Sequence, residues 1–414
     1  MRRRLLTTTS TAHAAPPPSP GTIAATIEAE AVKQAPSSTH TATPSAATPP
    51  IVGYWLIGSG VLVFGIVVLG GLTRPTESGL SIVEWNVLKG VWPPLTQQGW
   101  EEEFDKYKQY PEYKILNHGM SLDEFKRIFY MEWGHRLWGR VIGLSFVLPA
   151  IYFWRRGLLP RSLGKRVLGI SALIGFQGVL GWYMVKSGLD EEMITPHGVP
   201  RVSQYRLAAH LGSAFLIYIG MLTTGWDVLR QARPSLSHIM SSNALKRPAL
   251  QRLRLASLAL SGLVFLTAMS GAFVAGLDAG LLYDTFPKMG GRWIPPEHDI
   301  WSEVFTQPGD VSRWRNLFEN PTTVQFDHRV LGTTTVAATM ALWYYACRLP
   351  LPPAARRTAH GMLAAALVQI SLGISTLLYA VPIPLAASHQ AGSLVLLTVV
   401  LRLAHLLKRS PVKL

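Results

Sequence analysis

Residues 132–154 read EWGHRLWGRVIGLSFVLPAIYFW, and residues 325–347 read QFDHRVLGTTTVAATMALWYYAC. Each places an aromatic residue two before a histidine, an arginine directly after it, and then an apolar run near the ~20 residues that cross the hydrocarbon of a bilayer. One such stretch is a candidate membrane helix; the same stretch twice is a duplication. A second pair strengthens that reading: Ala208-Ala209-His210-Leu211-Gly212 is echoed by Ala387-Ser388-His389-Gln390-Ala391.

Working outward, eight apolar segments fall at about 52–73, 135–154, 166–186, 206–229, 253–276, 328–347, 358–380 and 385–407. The sixth and seventh are less uniformly apolar, and their Thr and Ser hydroxyls are expected to bond their own helix backbone or a neighbouring helix. Gly79-Leu80 aligns with Gly280-Leu281, Gln177 with Gln369, His135 with His328 and His210 with His389. Four segments precede the copy, so both halves enter the membrane in the same sense, as a parallel repeat about an axis along the membrane normal. The expected fold is an all-α membrane protein, with eight transmembrane helices arranged as two parallel-repeat four-helix bundles. The expected organisation is a disordered N-terminal targeting region over 1–50, an N-terminal half over 51–230, a basic linker over 231–252 and a C-terminal half over 253–414.

Composition agrees. Apolar residues make up 48% of the 414 residues and charged residues 15%, against roughly a quarter charged in soluble domains. The lone cysteine, Cys347, excludes an intramolecular disulfide, a cysteine-based zinc site and covalent Cys-x-x-Cys-His heme attachment. The net charge of +15 does not point to nucleic acid, because the basic residues cluster between apolar runs. Loops 155–166, 230–254, 348–357 and 402–414 hold eighteen Lys/Arg and no acid, whereas 74–134, 186–206, 277–327 and 380–384 hold fourteen Lys/Arg and twenty-one acids. Positive-inside then puts both termini and the basic loops on the side of insertion. The first fifty residues open Met1-Arg2-Arg3-Arg4 and are rich in Ala, Pro, Ser and Thr, the character of an organelle transit peptide. For a mitochondrial inner-membrane protein the basic side is the matrix, and the acidic loops face the intermembrane space.

The four repeat-related histidines begin the even-numbered segments, all of which start on the acidic side, so they lie at similar depth. A histidine in a membrane segment is costly without a partner, and neutral imidazole is a good iron ligand. The geometry permits one ligand pair in each half, hence two heme sites. Glu132 lies three residues before His135 and shares its helix face; its counterpart is Gln325, an amide. A carboxylate can handle protons near activated oxygen and an amide cannot, so chemistry is expected in the first half and electron transfer in the second. Arg136, Arg140 and Arg329 follow the histidines and are candidate partners for heme propionates. Ser121 is expected to cap a helix beginning near Asp123, and the loop tryptophans, Trp100 among them, to lie at the membrane interface.

Several motifs together resemble heme A synthases of the mitochondrial type, the heme O oxygenases of cytochrome oxidase assembly. They are Gly70-Gly71-Leu72-Thr73-Arg74, Ser78-Gly79-Leu80-Ser81, Glu132-x-x-His135-Arg136, Gly181-Trp182-Tyr183-Met184, Tyr205-Arg206-Leu207-Ala208-Ala209-His210, Phe286-Pro287-Lys288-Met289, Phe326-Asp327-His328-Arg329 and His389-Gln390-Ala391-Gly392-Ser393. The resemblance runs from about residue 53 to 407; Pro75, where a larger apolar residue is usual, departs from it. It implies oxidation of a heme O methyl group to the formyl group of heme A, with molecular oxygen as co-substrate, for cytochrome c oxidase biogenesis. It implies a resident heme b on His328 and His389, heme O on His135 and His210, and an essential Glu132. It also implies ferredoxin as electron donor, and leaves heme O synthase, other assembly factors and a second copy of the chain as candidate partners in the lipid bilayer. The alternative is a non-catalytic diheme cytochrome b-type electron carrier.

Overall fold

The computed structural model describes residues 48–74, 76–86, 92–189, 202–232, 247–305 and 313–408. Pro75, residues 1–47 of the targeting region and 233–246 of the basic linker lie outside them. The described chain is helical, with no strand among the described residues beyond an isolated bridge between Met289 and Arg292.

Eight long helices carry the architecture: α1 (Pro50–Thr73), α2 (Leu122–Arg155), α3 (Arg161–Gly188), α4 (Gln204–Ala232), α5 (Arg247–Gly276), α6 (Pro321–Cys347), α7 (Pro353–Leu378) and α8 (Ile383–Leu406). Seven are long and apolar enough to cross a membrane, which makes this a multi-pass membrane protein; α6 is long enough but is not among them. The reason lies in its threonines. Thr333 donates to Arg329 O at 2.8 Å and Thr339 to Thr335 O at 2.7 Å, while Thr335 meets Thr267 of α5 at 2.8 Å. Each hydroxyl is satisfied inside the protein, so composition understates how apolar the helix is to its surroundings.

Packing repeats between the halves. α1 lies against α2 and α4, and α3 against the same two; α5 lies against α6 and α8, and α7 against those two. The halves meet through α1, α4, α5 and α8, along a seam that includes Phe215, Met221, Leu394 and Leu397, all fully buried. Polar ties cross it: Tyr218 and Thr398 hydroxyls are 2.8 Å apart, and Gln390 Nε2 donates to Val67 O at 2.8 Å. At the acidic end Arg74 donates to Ala275 O at 3.1 Å and pairs with Asp278 at 2.9 Å. Glu77 and Asp278, two residues before the aligned Gly79 and Gly280, both adopt left-handed backbone, with φ of 49° and 51°. Asp and its near relatives tolerate that region better than branched residues, and the same turn ends the first span of each half.

α2 is longer than the expected second segment. Its 34 residues extend about 51 Å at 1.5 Å per residue, well beyond a hydrocarbon core of ~30 Å. Ser121 caps it as expected: Glu124 N donates to Ser121 Oγ at 3.3 Å and Ser121 N to Glu124 Oε2 at 2.8 Å, a complete capping box. The projecting turns carry Phe125 and Phe129 into a small aromatic core with Trp100, Phe104 and Tyr107 of the helix Gln97–Lys108. Trp100, expected at a membrane interface, is buried in this core; its ring meets Phe129 edge-on at 5.0 Å. Ser121→Ala should cost about 1 kcal/mol locally, seen as roughly fivefold faster amide exchange over residues 122–125; unchanged exchange would show that the aromatic core alone holds the helix start.

Candidate functional site

Each of the four histidines faces a glycine on the preceding helix. A Cβ placed on Gly70 of α1 would stand 2.8 Å from His135 Cε1, on Gly181 of α3 3.2 Å from His210 Cε1, on Gly271 of α5 3.1 Å from His328 Cε1, and on Gly373 of α7 2.7 Å from His389 Cε1. Two of these glycines, Gly70 and Gly181, belong to motifs singled out in the sequence, but none was tied there to a histidine. Small residues let helices approach closely in a membrane, and here the space that results is filled by imidazole.

The histidines come together as two pairs. The His328 and His389 rings are 6.3 Å apart between centroids and perpendicular. With metal–nitrogen bonds of about 2.0 Å and about 1.2 Å from ring nitrogen to ring centre, two imidazoles on opposite sides of one metal stand about 6.4 Å apart. The observed separation would suit a metal such as a heme iron held between the two rings. His135 and His210 lie within electrostatic range of one another. Among the described residues, no protein group hydrogen-bonds any of the four Nε2 atoms, which leaves all four available as donors to a metal.

The Nδ1 atoms divide the pairs. His328 Nδ1 sits 2.8 Å from Ser270 Oγ, and His389 Nδ1 3.2 Å from both the side-chain nitrogen and the carbonyl of Gln369. His135 Nδ1 and His210 Nδ1 are buried with no hydrogen-bond partner. The position equivalent to Ser270 in the first half is Leu69, one before Gly70 as Ser270 is one before Gly271. Gln177 donates to His210 O at 3.0 Å, as Gln369 does to His389 O at 2.9 Å, but the Gln177 side-chain oxygen is held by Ser213. A bond to the second ring nitrogen fixes tautomer and orientation and raises ligand basicity, so the second-half ligands are preset and the first-half ligands are not.

Glu132 is buried three residues before His135. Its Oε2 accepts from Ser81 Oγ and Ile82 N, both at 2.8 Å, and its Oε1 from Arg136 Nε at 3.0 Å and Nη2 at 2.7 Å. Gln325 instead donates to Tyr283 O at 3.0 Å, and its side-chain oxygen has no hydrogen-bond partner among the described residues. The expected carboxylate–amide asymmetry is thus also a difference in bonding.

Arg136 and Arg329 do one job in both halves. Arg136 donates to Ile82 O at 2.7 Å and Glu84 O at 3.0 Å; Arg329 donates to Tyr283 O at 2.9 Å and Thr285 O at 2.8 Å. Each guanidinium staples the loop after the first span of its half onto the histidine helix. Trp85 lies over Arg136, 4.8 Å from ring centre to guanidinium carbon. Arg140 donates to Asn86 O at 3.1 Å. A propionate would reach Arg136 by competing with these carbonyls, whereas the buried Nε of Arg329 has no hydrogen-bond partner among the described residues.

Sequence reasoning missed Glu112. It lies in the short helix Pro111–Ile115, buried beside the fully buried Tyr107, whose hydroxyl donates to it at 3.2 Å while accepting from Asn117 at 2.7 Å. Burial pushes its carboxyl from 4.5 up to about 8, with the charges of Glu132 and Glu77 adding to the rise and Arg74 and the Tyr107 bond opposing it. The glutamate sits in a polar loop, where nothing in the local pattern distinguishes it from a solvated acid.

Residues 53–401 match the family described as "Cytochrome oxidase assembly protein". The chain is 53% identical over 369 residues to "Heme A synthase COX15" of Bos taurus, covering 89% of this chain and 84% of the relative. It is 50% identical over 355 residues to "Heme A synthase COX15" of Saccharomyces cerevisiae, covering 84% and 73%. It is 46% identical over 364 residues to the "Heme A synthase-mitochondrial ferredoxin fusion protein" of Schizosaccharomyces pombe, covering 85% and 59%.

Two outcomes follow from the geometry. Gly373→Val should displace the His389 ring and reduce bound heme several-fold in the purified protein, whereas Gly169→Ala, with nothing within 4 Å of its added carbon, should leave it unchanged. For Glu112 the folded state holds a proton that the unfolded chain releases near 4.5, so its burial costs nothing below 4.5 and destabilises increasingly as pH rises to about 8. Glu112→Gln should raise Tm at pH 9 more than at pH 5; an equal change at both would show that the carboxyl is not buried as a proton carrier.

Proposed function

This chain belongs to the cytochrome oxidase assembly protein family, and from that premise we infer that it is a heme A synthase, oxidising the methyl group of heme O to the formyl group of heme A. We place it in the mitochondrial inner membrane as two parallel-repeat four-helix halves, termini in the matrix and heme sites toward the intermembrane space. The matching helix packing of the two halves and the charge bias of the loops support that placement.

The division of labour rests on one observation: His328 and His389 have bonded Nδ1 atoms and His135 and His210 do not. A permanent cofactor is best held by preset, basic ligands, so His328 and His389 hold heme b. A substrate that must arrive and leave is served by ligands without that reinforcement, so His135 and His210 hold heme O. The bound irons supply oxygen activation and electron transfer. Glu132 stands beside the first pair as the group that takes or returns a proton, steadied by Ser81, Ile82 and Arg136. Arg136 and Arg329 hold the covering loops in place and so shield each site from water. The reducing equivalents come from a ferredoxin, in keeping with the fused ferredoxin named in the Schizosaccharomyces pombe relative.

Glu132→Gln places in the first half the residue found at the same position in the second. Heme b should remain at wild-type level while heme A formation falls at least a hundredfold, read by extracting and identifying the hemes of the purified protein. Heme A yield near wild type would show that Glu132 only braces the loop. His328→Ala with His389→Ala should abolish the low-spin heme b spectrum, and its persistence would assign heme b to the other pair. In mitoplasts, protease should cut within 277–327 and spare 230–254; the reverse would invert the topology.

A further inference from the structure

At the end of the bundle away from the histidines, α4, α7 and α8 border an open cleft of about 550 Å³ whose lining includes Trp226, Arg357, Thr358, Gly361, Val399 and Arg402. Arg357 is the fifth residue of α7, and Arg402 lies four residues before the last of α8. Both guanidinium-bearing positions are thus about 6 Å inside their helix ends, the depth of the headgroup and acyl boundary. The flanking loops contain no acidic residue.

The cations of this end fall into two groups. Lys408 pairs with Asp227 at 2.7 Å, Arg166 pairs with it at 3.0 Å, and His405 lies 3.6 Å from it. Arg230 donates to the carbonyls of His405 and Lys408. Asp227 is therefore already surrounded. Arg402 has the face of Trp226 at 5.2 Å, and among the described residues neither Arg402 nor Arg357 makes a hydrogen bond or an ion pair. A cation at membrane depth without a counter-charge is costly. Thr358 gives its hydroxyl hydrogen to Ala354 O, so it does not compete for an anion.

We propose that this cleft binds the phosphate of an anionic phospholipid from the leaflet on the basic side. Guanidinium forks match phosphate oxygens in a bidentate way. The indole of Trp226 and the side chain of Val399 offer an apolar wall that a lipid tail can follow and a free phosphate cannot use. Basic pockets between membrane helices on this side suit such headgroups.

The test uses the full chain with its heme, purified in mild detergent and read by native mass spectrometry with added phosphatidylglycerol, phosphatidylcholine or inorganic phosphate. Phosphatidylglycerol should stay bound where phosphatidylcholine does not, and inorganic phosphate should not displace it at equal concentration. Arg357→Gln and Arg402→Gln should each weaken retention about fivefold, with heme content unchanged as the check on folding. Arg356→Gln removes the same charge from an exposed position beside the cleft and should have no effect. Equal retention of the neutral lipid, equal loss in Arg356→Gln, or full competition by phosphate would overturn the proposal; if Arg402→Gln fails to fold, Arg357→Gln alone decides it.

Discussion

An imidazole inside a membrane needs room and a purpose for its second nitrogen, and four glycines supply the room. Where Gly70, Gly181, Gly271 and Gly373 meet the histidine of the following helix, the backbone itself forms the floor beneath the ring. A side chain at Gly70 or Gly373 would force the imidazole or the helix to shift, and one at Gly181 or Gly271 would crowd the ring. Each of the helix pairs α1–α2, α3–α4, α5–α6 and α7–α8 carries one such contact. The loops stapled by Arg136 and Arg329 can cover the sites only because the histidine helices stand at that spacing.

The two halves share one pattern of helix packing, and a few side chains distinguish them. Leu69 against Ser270 decides whether a histidine has a partner for its second nitrogen. Glu132 against Gln325 decides whether the neighbouring loop is gripped by a carboxylate or by an amide. Neither change disturbs the helix ring or the arginine staple, which are the same in both halves. The two halves thus differ in bonding on one shared pattern of helix packing.

Much of this was legible in the chain. The apolar runs and the Ser121 cap follow from local pattern, because membrane helices satisfy their own backbone and announce themselves by length. Seven of the eight segments are long and apolar enough to cross a membrane; the sixth is less apolar because of threonines whose bonds become visible only in three dimensions. The glycine floors could not be read, since they pair residues from different segments at no fixed spacing. Glu112 was hidden for a related reason: its burial comes from an aromatic core assembled from residues 100 to 129, and a polar loop sequence carries no sign that it folds back on itself. For Arg136, expected to meet a propionate, the bonds to the Ile82 and Glu84 carbonyls could not be read from the chain, because a guanidinium can serve either kind of acceptor.

The continuous run of α2 from Leu122 to Arg155 makes the aromatic core and His135 parts of a single shaft. Phe125 and Phe129 fix its angle at one end; Glu132, His135 and Arg136 depend on that angle further down. Each residue turns a helix by about 100°, so one residue gained or lost between Phe129 and Glu132 would swing all three groups a quarter turn or more out of phase with Gly70 and the loop. Losing or gaining a near-whole number of turns would restore the bearing but shift the depth. The outer core therefore acts as the keyway that sets the bearing of Glu132, His135 and Arg136 below it.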